Sequence, residues 1–218
     1  FKHISAGDGG MCILNDKGLY EKTLRLADKN YNRLSKDPAA IRKIEYLAPN
    51  YRMTELQGAV ALAQLKKLEW ICERRNIIGE KITEGIKDLK GVHPPKIMEG
   101  SKSSYWFYMF RIDEKKAGIT RDDFSKALEA EGIPNQAGYI PNCIYEYDLF
   151  ANKSVYLGSD CPFGCKMYGK DITYGKGLCP IAEGILETAI RISINEFYTD
   201  KDVNEIIEAI RKVSDYYC

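Results

Sequence analysis

The sequence predicts a mixed α/β chain in two parts, joined by one long helix and ending in a small α+β domain. Three observations carry this. A helical apolar pattern runs unbroken from Thr54 to Leu89. After it, strand-like and helix-like segments alternate to the end of the chain. The composition, 44% hydrophobic and 29% charged over 218 residues, belongs to a chain that buries a core and not to a disordered one.

Taken in order, the chain opens on Phe1-Lys2-His3-Ile4, with no initiator Met and already in mid-element, so a fragment of a longer protein is expected. Gly7-Asp8-Gly9-Gly10 is a turn signal, because glycine supplies positive φ and aspartate tolerates it. Met11-Cys12-Ile13-Leu14 is expected as a short buried strand, closed by a second turn at Asn15-Asp16-Lys17-Gly18. Residues 19–33 form a modest helix on Leu19, Leu24 and Leu26, and residues 34–49 a loop ending in Ala48-Pro49.

The long helix follows, about 50 Å at about 1.5 Å per residue. Its first half, through Leu56, Val60, Leu62 and Leu65, is apolar nearly all round and predicts burial on several sides and a subunit interface. Its second half narrows to one stripe of Ile71, Ile78, Ile82, Ile86 and Leu89. Val92-His93-Pro94-Pro95 ends it. Tyr105 to Ile112 alternates as a strand. Thr120 starts a helix with acids in its first turn, stopped by Gly132. Residues 140–178, rich in Tyr, Gly, Pro and Cys, have no period and are expected as an ordered functional loop. Cys179-Pro180 leads into a short helix, residues 190–194 form a strand, and Thr199 opens a last helix on Val203, Ile206, Ile207, Ile210 and Val213.

Charge and cysteine content exclude several classes. Lys plus Arg total 32 and Asp plus Glu 31, a net charge of +1, which offers nucleic acid or an anionic membrane no electrostatic attraction. No apolar run approaches the ~18 residues of a membrane span and no signal peptide opens the chain, so a cytoplasmic protein is expected. Seven cysteines, at 12, 72, 143, 161, 165, 179 and 218, are expected as thiols in a reducing compartment. Cys161, Cys165 and Cys179 do not make a zinc site, since the two histidines, His3 and His93, are far away in sequence; no metal is expected. Taken singly, Lys2 is one lysine among many, and Asn50-Tyr51-Arg52 is a helix N-terminus with Asn50 near the cap and Arg52 paired to Glu55 or exposed.

Three blocks read together say more. Lys2-His-Ile-Ser-Ala-Gly7-Asp8-Gly9-Gly10, then Ala48-Pro-Asn50-Tyr51-Arg52-Met53-Thr-Glu55-Leu-Gln57, then Cys179-Pro-Ile-Ala-Glu183 with Arg191-Ile-Ser-Ile-Asn195 resemble, in order, the signatures of the StrS/DegT-type sugar aminotransferases. The resemblance implies an aspartate-aminotransferase-like α/β fold (fold type I of the pyridoxal 5′-phosphate, PLP, enzymes). Residues 1–75 would be the end of the large PLP-binding domain with the connector helix, and residues 76–218 the small C-terminal α+β domain.

It also implies chemistry. Lys2 matches the lysine that condenses with PLP and shuttles the proton, a task for an amine that can become neutral. Counting back from Gly7 puts Lys2, not His3, at that position, which favours amino transfer over the family's dehydrating branch, where histidine stands there. Asn50 matches an asparagine that reaches across a homodimer interface to the cofactor phosphate. Arg52 is expected to place a positive charge at the site mouth, for substrate phosphate or donor carboxylate. Family members often carry His-Tyr where this chain has Gly138-Tyr139, and Tyr139, with Tyr145 and Tyr147, is a candidate for lining the acceptor pocket. The implied reaction moves an amino group from Glu or Gln to a keto group of a nucleotide-linked sugar or cyclitol. The alternatives are a PLP-dependent sugar dehydratase and a non-catalytic isolated small domain. The family's ring-stacking residue and pyridine-pairing acid precede the lysine, so the 218 residues alone are expected to be inactive.

Overall fold

The computed structural model describes residues 2–164, 166–168 and 170–217; Cys165 and Cys218, expected above as thiols, lie outside the described residues. The chain divides into two compact units, Phe1–Trp70 and Ile71–Cys218, and the division falls inside the long helix.

In the first unit, helix α1 (Lys17–Ala27) starts at Asp16, whose carboxylate accepts from the Leu19 N–H at 2.7 Å. Helix α2 (Pro38–Ile41) starts the same way at Asp37, with proline in its first turn. Helix α3 (Glu55–Ile86) is 32 residues long. Thr54 and Gln57 close its start reciprocally: the Gln57 N–H donates to Thr54 Oγ1 at 3.2 Å and the Thr54 N–H to Gln57 Oε1 at 3.0 Å.

One sequence expectation fails here. Met11–Leu14 is neither strand nor buried; Met11 is 81% and Ile13 88% exposed. A four-residue strand is stable only against a neighbour, and the described residues of this unit hold one isolated bridge, Asp28 to Asn50, and no strand. The first half of α3 presents Leu56, Val60, Leu62 and Leu65 at the surface of this chain.

The second unit contains strands β1 (Val92–His93) and β2 (Tyr108–Ile112), helices α4 (Glu114–Ala117) and α5 (Arg121–Ala130), strand β3 (Asn135–Ala137), helices α6 (Asp148–Ala151) and α7 (Pro180–Thr188), strand β4 (Ala189–Ile192) and helix α8 (Asp200–Tyr217). The strands form one antiparallel sheet in the order β1-β2-β4-β3. The two-residue alternation sets its faces: Tyr108, Phe110 and Ile112 of β2 and Ile190 and Ile192 of β4 are buried. They pack in one core with Ile78, Ile82 and Ile86 of α3, Phe124 and Leu128 of α5, and Val203, Ile206, Ile210 and Val213 of α8. On the other face, Met109 and Gln136 flank Arg191, each directly opposite it in the ladder.

Residues 140–178 hold a 3-10 turn and α6, and Phe150, Phe163 and Tyr174 cluster with ring centroids 5.2 to 5.9 Å apart. One carboxylate oxygen closes the neck of this segment. Glu183 Oε1 accepts from Tyr145 Oη at 2.6 Å, from the Gly177 N–H at 2.8 Å and from the Cys179 N–H at 3.4 Å. Burial, with the Cys143 and Glu183 groups beside it, raises the Tyr145 phenol pKa, and the phenol's hydrogen bond lowers that of Glu183.

Candidate functional site

The lysine segment and the start of α3 are tied together. Gly7 sits at φ +84°, turning the chain after Lys2, and Gln57 Nε2 donates to the Asp8 carbonyl at 2.8 Å. Beside this contact lies a cleft of about 770 Å³, whose lining includes Asp8, Gly9, Met11, Tyr51, Arg52 and Gln57. Lys2 and Asn50 are exposed on the same unit and do not line the cleft.

Sequence reasoning missed the residue that organises this corner. Asp28, the C-cap of α1, is 5% exposed. Arg33 Nε donates to its Oδ2 at 2.7 Å, and Arg52 Nε stands 3.2 Å from its Oδ1. The second contact is an ion pair without hydrogen-bond alignment, so Oδ1 accepts no hydrogen bond among the described residues. Burial raises the carboxyl's pKa, but the Arg33 hydrogen bond and the charges of Arg33, Arg52 and Lys29 outweigh it and hold the group below its ordinary value.

Arg52 Nε also donates to Asn50 Oδ1 at 3.0 Å, while the Asp28 and Asn50 backbones bridge, with the Tyr51 N–H on the Ala27 carbonyl at 2.8 Å. Asn50 therefore spends its oxygen on Arg52, and its Nδ2 hydrogens have no partner among the described residues. Arg52 pairs with neither Glu55 nor solvent alone; its partner is Asp28. No sequence signal separates Asp28 from the other acids of the first unit, because its importance comes from burial.

Asp28→Asn is expected to cost about 2 kcal/mol at neutral pH, by leaving Arg33 and Arg52 without their shared counter-ion. Because the folded-state pKa is depressed, the carboxylate's contribution is fully present above the unfolded value near 3.9 and is lost as pH falls through the lower folded value. The gap between the melting curves of wild type and variant should start to close only as pH falls past about 3.9 and vanish below the lower folded-state value; a gap that persists there refutes the ion-pair account.

Tyr139 lies in the second unit, 36% exposed, just after β3. Gly138 before it sits at φ +72° and donates its N–H to the Ala189 carbonyl at 2.7 Å. A Cβ at this position would stand 3.2 Å from Arg121 Nη1, so any side chain here would meet both backbone strain and crowding. Tyr145 is engaged with Glu183, and Tyr147 stands at the N-terminus of α6, 40% exposed. Among the described residues no group of three His, Cys, Asp or Glu side chains is placed to hold a metal ion, and no helix is long and apolar enough to cross a membrane.

Residues 1–164 match the DegT/DnrJ/EryC1/StrS aminotransferase family. The chain belongs to this family. Among relatives of the DegT/StrS chain, it is 26% identical over 220 residues to the spore coat polysaccharide biosynthesis protein SpsC of Bacillus subtilis, covering 97% of this chain and 51% of SpsC. It is 26% identical over 222 residues to a putative L-glutamine:3-amino-2,3-dideoxy-scyllo-inosose aminotransferase of Streptomyces kanamyceticus, 98% of this chain and 51% of that protein. It is 30% identical over 141 residues to the GDP-perosamine synthase of Caulobacter vibrioides, 64% of this chain and 36% of that one. The chain thus spans about half the length of the first two. Solved structures agree on the α/β aminotransferase fold: S. venezuelae DesV superposes with a TM-score of 0.71 at 18% identity, over 93% of this chain and 46% of DesV. Helicobacter pylori PseC, an aminotransferase of pseudoaminic acid biosynthesis, gives 0.65 at 22%, over 93% and 48%.

Proposed function

We propose that the intact protein is a PLP-dependent aminotransferase that moves an amino group from glutamate or glutamine to a keto group of a nucleotide-linked sugar or cyclitol. In this proposal residues 1–75 close the large cofactor domain and carry the connector helix, and residues 76–218 form the small domain. The enzyme works as a cytoplasmic homodimer, and the 218 residues alone are inactive. The names of the S. kanamyceticus and C. vibrioides relatives support an amino-cyclitol or amino-sugar product and a glutamine donor.

The observation that carries the proposal is the 2.8 Å bond from Gln57 to the Asp8 carbonyl, which joins the Lys2 glycine turn to the Asn50–Gln57 segment. The exposed Asn50 amide, whose Nδ2 hydrogens have no partner among the described residues, beside the N-terminus of a 32-residue helix, suits the phosphate end of PLP, and the Arg52 guanidinium, whose η nitrogens make no hydrogen bond among the described residues, is free to meet an acidic substrate. PLP, when bound, supplies the aldehyde and the electron-withdrawing ring. Lys2 Nζ is assigned the covalent hold on the aldehyde and the proton transfer to and from the substrate carbon. Asn50 Nδ2 donates across the homodimer interface to the phosphate of the partner subunit's cofactor, and Arg52 attracts the acidic substrate. Tyr139 offers its hydroxyl to the acceptor.

Borohydride treatment of the PLP-loaded intact protein, followed by peptide mapping, tests the central assignment. The label is expected on the peptide containing Lys2. A label on any other lysine overturns it.

A further inference from the structure

We infer that Arg191 is a positioning residue for Tyr139, a role that rests on the assignment of Tyr139 to the acceptor site above. Tyr139 leaves the sheet after Gly138 with its ring exposed and its hydroxyl without a hydrogen-bond partner among the described residues. A surface tyrosine with no anchored hydroxyl ordinarily samples several rotamers. Here three neighbours fix the ring. Phe107 lies 5.2 Å away at 36°, Trp106 stands edge-on at 6.2 Å and 81°, and the Arg191 guanidinium carbon is 5.9 Å from the ring centre.

Arg191 is itself over-determined. It sits on β4 with its guanidinium carbon also 5.6 Å from the Phe107 ring centre, and its Nη2 donates to Gln136 Oε1 at 2.8 Å, directly across the ladder. Its Nε is buried and makes no hydrogen bond among the described residues. A surface arginine has water within reach for that N–H, and burying it unpaired is unfavourable. The guanidinium stays because two ring faces and Gln136 hold it. With Nη2 engaged and Nε buried, its flat guanidinium braces the tyrosine. The result is a hydroxyl with free donor and acceptor capacity on an immobilised ring, suited to a polyol such as a sugar or cyclitol.

The test uses the intact PLP-loaded protein and two measurements. In the first, glutamate is the donor and 3-amino-2,3-dideoxy-scyllo-inosose the acceptor. Arg191→Leu should raise the acceptor KM about tenfold while kcat changes less than about twofold and the glutamate half-reaction is unaffected. Arg191→Lys, which keeps the charge but lacks the flat guanidinium, should recover only part of the loss. In a Tyr139→Phe background, Arg191→Leu should add little further. A full additional tenfold in that background, or an equal slowing of the glutamate half-reaction, overturns the inference.

The second measurement needs no turnover. With 3-fluorotyrosine placed at position 139, the fluorine resonance is expected to shift and broaden in Arg191→Leu. An unchanged line overturns the positioning role whatever the enzyme does. Absence of amino transfer in the wild type counts instead against the function proposed above.

Discussion

Lys2→Ala in the intact protein is expected to abolish amino transfer, with a loss of at least about 10³-fold, the range associated with removing a positioned proton-transfer group together with its covalent role. The visible absorbance of protein-bound PLP should go with it, while the melting temperature should change little, because Lys2 is exposed and outside the hydrophobic core. The combination matters. A variant that loses turnover and also unfolds says nothing about chemistry, and a variant that keeps the absorbance and half its activity shows that another lysine holds the cofactor. Lys2→Arg should fare no better than alanine. A guanidinium stays protonated at any accessible pH and can neither attack an aldehyde nor carry a proton away.

Phe110→Ala is expected to produce the largest stability loss in the second unit, about 3–5 kcal/mol. The side chain is fully buried between Tyr108, with ring centroids 6.4 Å apart, and Phe124, which it meets at 6.1 Å and 70°. Against a typical domain stability of about 5–15 kcal/mol, this is enough to lower the melting temperature by roughly 10 °C. Met109→Ala, one residue away on the opposite face of β2, is the internal control and should cost under about 1.5 kcal/mol. If the two losses are equal or reversed, the pairing of β2 with β4 is displaced by one residue, since such a slip exchanges the faces.

The second unit was largely legible from sequence because its signals are local. Thr120 caps α5 by accepting from the Asp123 N–H, and Gly132 takes φ +85° just beyond the helix. Phe110 and its alternating neighbours announce a strand, and the stripe from Val203 to Val213 lies on the core where its period places it. Strand β3 escaped notice: three residues, Asn135–Ala137, carry no pattern, and they are a strand because β4 lies beside them.

The first unit was less legible, and α1 shows why. The periodicity allows a helix through residue 33, but Lys29 and Asn30 take φ +54° and +63° and the helix stops at Ala27. Asn30 is fully buried, accepting from Arg25 Nε at 2.8 Å and donating to the Tyr46 carbonyl at 2.8 Å. Those partners repay the left-handed backbone, and Tyr46 is sixteen residues further along the chain. The site follows the same division. Lys2 and Asn50 stand out through family resemblance, whereas Asp28 stands out only once its burial and its two arginines are seen together.

The way Arg52 occupies the oxygen of Asn50 has a practical corollary for the choice of buffer. With the Arg52 guanidinium against the oxygen and both amide hydrogens unused among the described residues, this corner favours one sign: oxyanions such as sulfate or citrate are welcome and sodium or ammonium is not. Measurements of cofactor uptake made in an imidazole chloride solution, free of oxyanions and primary amines, should therefore give tighter apparent binding than the same measurements in sulfate-rich media.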